Sequence, residues 1–324
     1  MVAGRSADDH AVNALVAEYS VKVCVERQVH FIGELLAALC VVVPNYSDFR
    51  VRVVQYTRGV LFDESIDSVV ICTATCDHPE IMMKVTAAKK NIFTEKVLTI
   101  DPKDAEKVAE AVKASGKVFT ISYPHRTFPT LRAVKALMDS GKLGRVTYAR
   151  VRNVHNGSSA NWLPPHFYDK AQCGGGAMID LGSHPMYTLY WLLGEPKSIT
   201  STFTQVTNRG VEDNAVSVIE FADGKIGVSE TGFVSECNPY TLEVSGTDGA
   251  VMVHGDSVQW GGKATEGKWV DLELPEKEPL PIDQWIDAVV NGKPSPFTID
   301  EAVMLTRLMD GAYKAFETGA KATF

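Results

Sequence analysis

The chain of 324 residues is 45% hydrophobic and 22% charged, and its formal net charge is −8. This length allows two domains with substantial cores, and the composition is ordinary for a globular protein. The negative charge argues against nucleic acid or an anionic membrane as an electrostatic partner.

The cysteine pattern and the apolar stretches narrow the class of protein further. Six cysteines are scattered without a CxxC pair, and Cys72 and Cys76 have no second Cys or His pair at zinc spacing. Residues 31–44 are too short to span a bilayer and include Glu34, and no basic segment precedes them as in a signal peptide. We therefore expect no metal site and a reducing, cytoplasmic location.

The N-terminal segment matches half of a dinucleotide-binding fingerprint. A turn with Gly4 and Ala7, a helix at residues 11–18 and a short strand ending in the acid Glu26 follow one another. No strand precedes Gly4, however, and Val2 occupies the position of the first fingerprint glycine. We therefore expect the phosphate loop to bind a dinucleotide weakly.

Residues 27–63 carry the least regular pattern. A helix over residues 31–40 and a strand over residues 51–56 are the predicted elements. Two explanations of the missing first strand stay open at this point. The natural start lies upstream of Met1, or another segment, such as residues 51–56, completes the sheet.

From residue 63 onward, strands and helices alternate. Predicted strands cover residues 68–72, 91–93 and 117–123, and predicted helices cover residues 79–90 and 103–115, the second capped by Asp101. This alternation predicts a parallel, doubly wound sheet that binds ligands at the carboxyl ends of its strands. The loops at residues 73–78 and 95–96 lie at such ends.

The second half of the chain changes character after Tyr123. Its predicted elements are a helix at 129–140, a strand at 146–154, hairpin strands at 215–221, 225–231, 242–245 and 251–254, and helices at 281–291 and 299–317. We place a domain boundary there, giving a Rossmann-like domain at 1–122 and an α+β domain at 123–324. The second domain is predicted to be an open, mostly antiparallel sheet with helices on one face.

One polar motif stands out in the second domain. Three glycines, at residues 174–176, precede Asp180 and His184. On a helix these two side chains would share a face, and a carboxylate that fixes an imidazole suits a general base. Gly182 and Pro185 weaken a single helix, and Pro185 could begin a new one. Spacing alone equally allows a glycine loop before a buried helix with a structural histidine.

With Glu95-Lys96 at a strand end and Gly174-Gly175-Gly176-x-x-x-Asp180-x-Gly182-x-His184 beyond it, the chain resembles the Gfo/Idh/MocA oxidoreductases. The resemblance implies a Rossmann domain followed by an open antiparallel sheet. It also implies hydride transfer between NAD or NADP and a hydroxyl carbon of a sugar, inositol or related polyol. The family usually has proline after the lysine. Here Val97 predicts a trans peptide bond, since a non-proline cis bond costs about 3 kcal/mol.

The resemblance also implies roles for individual residues. The catalytic set is Lys96, Asp180 and His184. The cofactor-binding set is Gly4, Ala7, Glu26, Thr73, His78 and Glu95. The substrate-binding set is His125, Arg126, Asn153, His155, Trp162 and Tyr187. Ordinary structural roles compete with several of these: a surface lysine at 96, a helix-preceding cap at His78 and a core residue at Tyr187.

The sequence therefore predicts an NAD(P)-dependent dehydrogenase or reductase. It is expected to form a homodimer or homotetramer through the C-terminal sheet around residues 215–231. The alternative is a non-catalytic, sugar- or partner-binding homologue with impaired cofactor binding. A metal hydrolase built from His155, His166 and Asp180 lacks ligand spacing.

Overall fold

The computed structural model describes residues 38–43, 50–55, 66–237 and 240–324. The predicted fingerprint residues Gly4, Ala7 and Glu26, and the helix expected at 11–18, lie outside these ranges. Among the described residues no helix is long and apolar enough to cross a membrane.

The first sheet has five strands in the order β2-β1-β3-β4-β5. They are β1 (Ala38–Val43), β2 (Arg50–Gln55), β3 (Ser68–Ile71), β4 (Asn91–Thr94) and β5 (Phe119–Ile121). Strands β3, β4 and β5 are parallel, as the sequence predicts. Strand β1 is antiparallel to both β2 and β3.

Strand β1 corrects two expectations for this region. Residues 38–40 are part of a strand rather than the end of a helix over 31–40. The neighbour of β3 is β1, whereas the segment proposed to complete the sheet forms β2 at its edge. The apolar run Ala38–Val43 is fully compatible with a strand, and pairing with the exposed edge of β3 outweighs its helical pattern.

Helices cover both faces of the three parallel strands. Successive strand residues point to opposite faces, so Val69 joins the large core while Val70 joins a smaller cluster with Phe93 and Trp285. The helices on the core side are α1 (His78–Ala87) and α2 (Pro102–Ser115). As predicted, the Asp101 carboxylate caps α2, accepting from the Lys103 N–H at 2.8 Å.

The second sheet has nine strands in the order β13-β12-β11-β10-β6-β9-β8-β7-β14. They are β6 (Val146–Val154), β7 (Pro196–Thr204), β8 (Asn214–Phe221), β9 (Ile226–Gly232), β10 (Thr241–Gly246), β11 (Gly249–His254), β12 (Ser257–Gly262), β13 (Val270–Asp271) and β14 (Ala322–Thr323). The β6–β9 pair is parallel and the other described pairs are antiparallel. The sheet is therefore open and mostly antiparallel, as expected.

The remaining helices place the site between the two sheets. They are α3 (Pro129–Asp139), the short α4 (Lys170–Cys173), α5 (Ser183–Leu193), α6 (Pro281–Asn291) and α7 (Ile299–Thr318). Helix α5 packs on β6 and β9, and α7 packs on β7 and α2. Helix α6 packs on the parallel sheet, where Trp285 contacts Phe93 with ring centroids 5.7 Å apart. The capping box predicted at the start of α7 is present, with Thr298 and Glu301 as its two members.

Candidate active site

The centre of the site is an ion pair that joins the two sheets. Lys96 follows strand β4, and its ammonium lies 2.6 Å from Asp180 Oδ1 and 2.7 Å from the Asp180 backbone oxygen. The Lys96 side chain is only 7% exposed, and that of Asp180 is 23% exposed. The structure thus brings together two predicted catalytic residues that are far apart in sequence, and it does not support a surface role for Lys96.

The peptide bond between Lys96 and Val97 is cis. The trans bond expected from the missing proline is therefore wrong. That expectation considered only the intrinsic preference of the bond. Tertiary contacts fix both neighbours here, because Asp180 holds the Lys96 ammonium, Val97 is 2% exposed, and the Val97 carbonyl accepts from His78 Nδ1 at 3.0 Å.

Asp180 and His184 do not form the pair that their spacing suggested. Helix α5 begins at Ser183, with Pro185 in its first turn, so Asp180 lies in the turn before the helix. The Asp180 carboxylate faces Lys96, and the His184 ring bonds to the Tyr187 hydroxyl instead. The helix break at Gly182 explains the error, since only residues on one continuous helix are held on one face at this spacing. The other interpretation, in which a new helix begins at Pro185, is closer to the structure, where the helix begins at Ser183.

His184 belongs to a cluster of rings. It stacks on His125, with centroids 4.3 Å apart, and its Nδ1 lies 2.9 Å from the Tyr187 hydroxyl. The backbone N–H of His125 donates to the same hydroxyl oxygen at 3.1 Å. The hydroxyl proton is then directed at His184 Nδ1, which favours the tautomer with its proton on Nε2. Tyr240, which the sequence did not point to, lies against His125 with centroids 5.2 Å apart.

Burial keeps this cluster neutral. It lowers the pKa of His125 to about 3, and the nearby Lys96 charge acts in the same direction. It also holds the pKa of His184 well below its usual value, with His125 and Lys96 adding to the effect. Burial raises the pKa of Tyr187 well above 10. The Asp180 carboxylate, expected to fix the imidazole of His184, pairs with Lys96 instead, and burial lowers the pKa of His184.

Two other predicted substrate residues, His155 and Trp162, lie together in a second group of rings. His155 follows β6, stacks on Phe233 at 4.9 Å, and accepts the Gly157 N–H on Nδ1. Trp162 packs on His155 at 4.8 Å. The Asp180 charge opposes the lowering of the His155 pKa by burial, as it also does at His166. The Asp180 charge therefore acts on both His155 and His166.

Arg126 and Asn153 take other positions. The Arg126 guanidinium pairs with Glu301 at 2.6 Å and lies over the rings of Trp191 and Phe297. These contacts describe a structural arginine rather than one that is available to a substrate. Asn153 lies near the end of β6, opposite Thr231 of β9, and is partly exposed.

The cofactor side is formed by the carboxyl ends of β3 and β4. Thr73 follows β3, and its hydroxyl oxygen is buried without a hydrogen-bond partner among the described residues. Glu95 is 7% exposed at the end of β4, one residue before Lys96. A buried, unpaired hydroxyl at this edge fits a polar group of a bound dinucleotide, so the described residues suit its nicotinamide end. The loops expected to hold its phosphates and adenosine lie outside the described ranges.

His78 differs from the other predicted cofactor residues. It is the first residue of α1, is 1% exposed, and places its two ring nitrogens near the carbonyls of Thr73, Val97 and Leu98. Burial lowers its pKa. The side chain thus ties the loop after β3 to the loop after β4, a structural role beside the cofactor edge rather than on it.

Within the part of the chain that the structure describes, no group of three or more His, Cys, Asp or Glu side chains is placed to hold a metal ion. A surface cavity of about 350 Å³ opens beside α7 and is lined by residues that include Glu212, Tyr313 and Phe316. It lies away from Lys96 and His184, and we do not regard it as the active site.

The structure combines a Rossmann-like sheet with a larger, open and mostly antiparallel sheet, and comparison with known families agrees. A family model described as an oxidoreductase family with an NAD-binding Rossmann fold matches residues 41–123. A second model, the GFO/IDH/MocA C-terminal domain, matches residues 131–252. Together they match more than half of the chain, which therefore belongs to the Gfo/Idh/MocA family. The predicted family and fold class are confirmed.

Several characterised proteins are similar to this chain. The scyllo-inositol 2-dehydrogenase (NAD(+)) of Bacillus subtilis (strain 168) is 29% identical over 204 residues, covering 60% of this chain and 57% of that protein. The inositol 2-dehydrogenase of Rhizobium meliloti (strain 1021) is 30% identical over 193 residues, covering 57% and 56%. The chain thus spans little more than half the length of these relatives.

Solved structures extend the likeness over more of the chain. GenD2 from gentamicin A biosynthesis, in complex with NAD, is 29% identical with a TM-score of 0.71, covering 84% of this chain and 82% of that one. Levoglucosan dehydrogenase in complex with NADH has a TM-score of 0.74 at 19% identity, covering 82% of each chain. The second likeness shows the fold alone.

Proposed function

We propose that this protein is an NAD(P)-dependent dehydrogenase or reductase that acts on a hydroxyl carbon of a sugar, inositol or related polyol. The observation that carries the proposal is the buried Lys96–Asp180 pair at the carboxyl end of β4, beside the neutral imidazoles of His125 and His184. An ammonium, a carboxylate and two uncharged imidazoles suit proton movement on a carbinol oxygen.

Lys96 binds the reacting oxygen in this proposal. An ammonium has three N–H donors, and Asp180 accepts from it through one carboxylate oxygen and one backbone oxygen. One donor is left for the substrate oxygen. Because Asp180 fixes the ammonium from the protein side, the lysine can stabilise negative charge that develops on that oxygen without moving.

His184 exchanges the proton. Its tautomer presents an Nε2–H, with Nδ1 held by the Tyr187 hydroxyl. To act as a base in the oxidising direction the ring takes the other tautomer, in which Nδ1–H donates to the Tyr187 oxygen and Nε2 is free to accept the hydroxyl proton, giving an imidazolium. In the reducing direction that imidazolium returns the proton from Nε2 to the substrate oxygen and becomes neutral again. The low pKa of His184 makes the imidazolium a strong acid, so it gives the proton up readily.

The dinucleotide, when bound, supplies or accepts the hydride. Thr73 and Glu95 would hold its nicotinamide end, and Lys96 comes directly after Glu95 in the chain. Substrate hydroxyls are assigned to His125, whose buried Nδ1 has no partner among the described residues, and to His155. Trp162, whose indole N–H donates to Asn156 at 2.8 Å, would pack its ring on the substrate.

The relatives support an enzyme over the non-catalytic alternative. Three of the similar proteins are named inositol dehydrogenases, and others are a 1,5-anhydro-D-fructose reductase of Ensifer adhaerens and a D-xylose 1-dehydrogenase (NADP(+)) of Hypocrea jecorina. Their names include both cofactors and both directions of reaction. The chemistry that these five names share is oxidation or reduction of a sugar, anhydrosugar or inositol.

A substrate panel tests the proposal. Inositols, aldoses and anhydrosugars are offered with NAD+ and NADP+, and the reduced cofactor is followed by its absorbance. We expect turnover in the parent and a loss of at least about a hundredfold in Asp180→Asn, which keeps the size of the side chain but removes its charge. A parent that binds NADH and turns over no substrate in either direction would contradict the proposal, as would full activity in Asp180→Asn.

We also propose a homodimer or homotetramer formed by the outer face of the second sheet, in a reducing cytoplasm. Val216, Val218 and Ile226 are exposed on β8 and β9, on the face opposite the helices. Exposed apolar residues that are contiguous on a sheet are typical of an interface. The thiols of Cys76, Cys173 and Cys237 form no disulfide, which suits a reducing compartment.

A further inference from the structure

A buried glutamate holds the loop that carries Asp180. Glu212, 7% exposed, lies in the connection between β7 and β8. Its Oε1 accepts the N–H groups of Gly176 and Met178, each at 2.9 Å, and its backbone oxygen accepts that of Ala177 at 2.8 Å. Three consecutive N–H groups of the glycine loop therefore bond to this single residue.

Tyr313 completes the arrangement from helix α7. Its hydroxyl donates to the same Glu212 Oε1 at 2.6 Å. Burial, with the Glu212 charge, raises the pKa of Tyr313 well above 10, so the hydroxyl remains a donor. A Cβ built at Gly175 would lie 1.9 Å from this hydroxyl, and one at Gly176 would lie 2.1 Å from the Glu212 backbone oxygen. Gly175 and Gly176 must therefore lack a side chain, because Tyr313 and Glu212 occupy the space that a Cβ would need.

The bonds made by Glu212 continue directly to the ion pair. The Gly176 carbonyl accepts the Asp180 N–H at 3.1 Å, and the Ala177 carbonyl accepts the Gly182 N–H at 2.9 Å. The peptide groups that Glu212 holds are therefore the ones that close the turn around Asp180. A shift of this loop would move the carboxylate away from Lys96.

We propose that Glu212, supported by Tyr313, is a positioning residue that sets the geometry of the Lys96–Asp180 pair. The catalytic role of Lys96 and Asp180 rests on the proposed function, whereas the distance between their charged groups is independent of it. Geometric precision matters here because displacement of a reacting group by about 1 Å can cost on the order of a hundredfold in rate.

The neighbouring residue provides a matched control. Asp213 is 1% exposed and also accepts three hydrogen bonds on its carboxylate, from the N–H groups of Val206 and Thr207 and from the Thr207 hydroxyl. These bonds lead away from the glycine loop. Glu212→Ala and Asp213→Ala both remove a buried, triply bonded carboxylate, and only the first should disturb Lys96.

Two readouts are compared in the full chain. The first is kcat with the best substrate, and the second is acetylation of Lys96 by trace acetic anhydride, measured by mass spectrometry against Lys113 in the same sample. We expect Glu212→Ala to lower kcat by about tenfold to a hundredfold with little change in cofactor KM. We expect its Lys96 acetylation to rise toward that of Asp180→Asn. Asp213→Ala should match the parent in both.

If Glu212→Ala fails to fold, Tyr313→Phe tests the proposal instead. This variant removes the hydroxyl that donates to Glu212 and leaves the Glu212 carboxylate in place. It should change both readouts in the same direction by a smaller factor. Parent-like kcat and acetylation in the folded variants, or equal changes in Asp213→Ala, would overturn the proposal. A parent without dehydrogenase activity would contradict the proposed function alone, since acetylation still reports the geometry of the pair.

Discussion

The Lys96 ammonium is almost completely enclosed by protein, whereas Asp180 keeps part of its carboxylate in contact with solvent. Removing one member of a fully buried pair typically costs about 3–5 kcal/mol, because the other charge is left without a partner. Here the remaining carboxylate can stay hydrated, so the cost should be smaller. Stability and catalysis can therefore be separated at this pair.

Lys96→Met makes that separation, since methionine keeps the packing of the stem and removes the charge. We expect kcat to fall by about a hundredfold to ten-thousandfold while the protein still folds. Activity assays with circular dichroism measure both. Lys113→Met, which breaks an exposed pair with Asp300, is the control and should alter neither quantity appreciably. A Lys96→Met protein that simply unfolds would indicate that the pair is structural.

The buried imidazoles make stability depend on pH. His125 has a pKa of about 3 in the folded protein and an ordinary value near 6.5 when unfolded. Between these values the unfolded chain binds the proton and the folded protein does not. Stability is therefore fully present above pH 6.5 and declines as the pH falls toward 3, by about 1.4 kcal/mol per pH unit for this group.

Urea unfolding at pH 6.5 and 5.0 measures the effect. Between these two pH values the free energy of unfolding of His125→Gln should fall by about 1.6 kcal/mol less than that of the parent. His254→Gln, which changes an exposed histidine on β11, should decline as the parent does. If the free energy of unfolding falls equally in His125→Gln and the parent, His125 is not neutral in the folded protein.

The contact between Lys96 and Asp180 could not be predicted from the sequence, although both residues could. Lys96 and Asp180 were each predicted as site residues from the motifs that contain them. Their pairing was not predicted, because they are 84 residues apart and only the fold brings them together. Spacing instead suggested Asp180 with His184, whose real partner, Tyr187, lies three residues further along the same helix.

At the scale of single elements, the glycine loop depends on close approach of backbone atoms. Gly176 has no room for a Cβ because the nearest atom would be the Glu212 backbone oxygen at 2.1 Å. We expect Gly176→Ala to lower the free energy of unfolding by about 1–3 kcal/mol, through overpacking, and to lower kcat. Chemical unfolding and steady-state assays test both effects.

Gly232→Ala is the matched control for this substitution. Gly232 ends β9, and a Cβ there would lie 3.2 Å from the Asn214 side-chain oxygen and 3.3 Å from the Asp213 backbone oxygen, far less crowded than the 2.1 Å at Gly176. Stability should change by no more than about 0.5 kcal/mol. A Gly176→Ala protein as stable and active as Gly232→Ala would mean that the loop adapts without Glu212.

Elements with strong local signals were predicted well. Strand β6 and helix α6 have the predicted bounds, and α7 begins at its predicted capping box. Strands β7 and β12 were not predicted, and their positions depend on pairing with β8 and β11. Pairing across a sheet is a tertiary effect that a local pattern does not contain.

At the scale of the whole molecule, the first sheet departs from a fully parallel arrangement. Leu39, near the start of β1, pairs with Ile71, at the end of β3. The start of β1 therefore lies at the edge at which the parallel strands end, where Thr73, Glu95 and Lys96 lie. The sequence predicted the ligand edge but not the direction of β1, since an apolar run fits either direction of pairing.

The second sheet has one face packed on helices and one face open. In β8, Ala215, Ser217 and Ile219 are buried, whereas Val216 and Val218 are 38% and 42% exposed. Alternation normally places polar residues on an exposed face. In the proposed assembly a second copy of the chain covers these apolar side chains, so assembly should depend on this face.

Val218→Lys tests that dependence, because a lysine at the centre of the contact would have to be buried beside its copy on the partner chain. Light scattering at micromolar concentration should show a dimer or tetramer for the parent and a shift toward monomer for the variant. Met83→Lys is the control, since Met83 is 43% exposed on α1, away from the sheet, and its mass should equal that of the parent. A monomeric parent, or an unchanged assembly in Val218→Lys, would exclude this face as the interface.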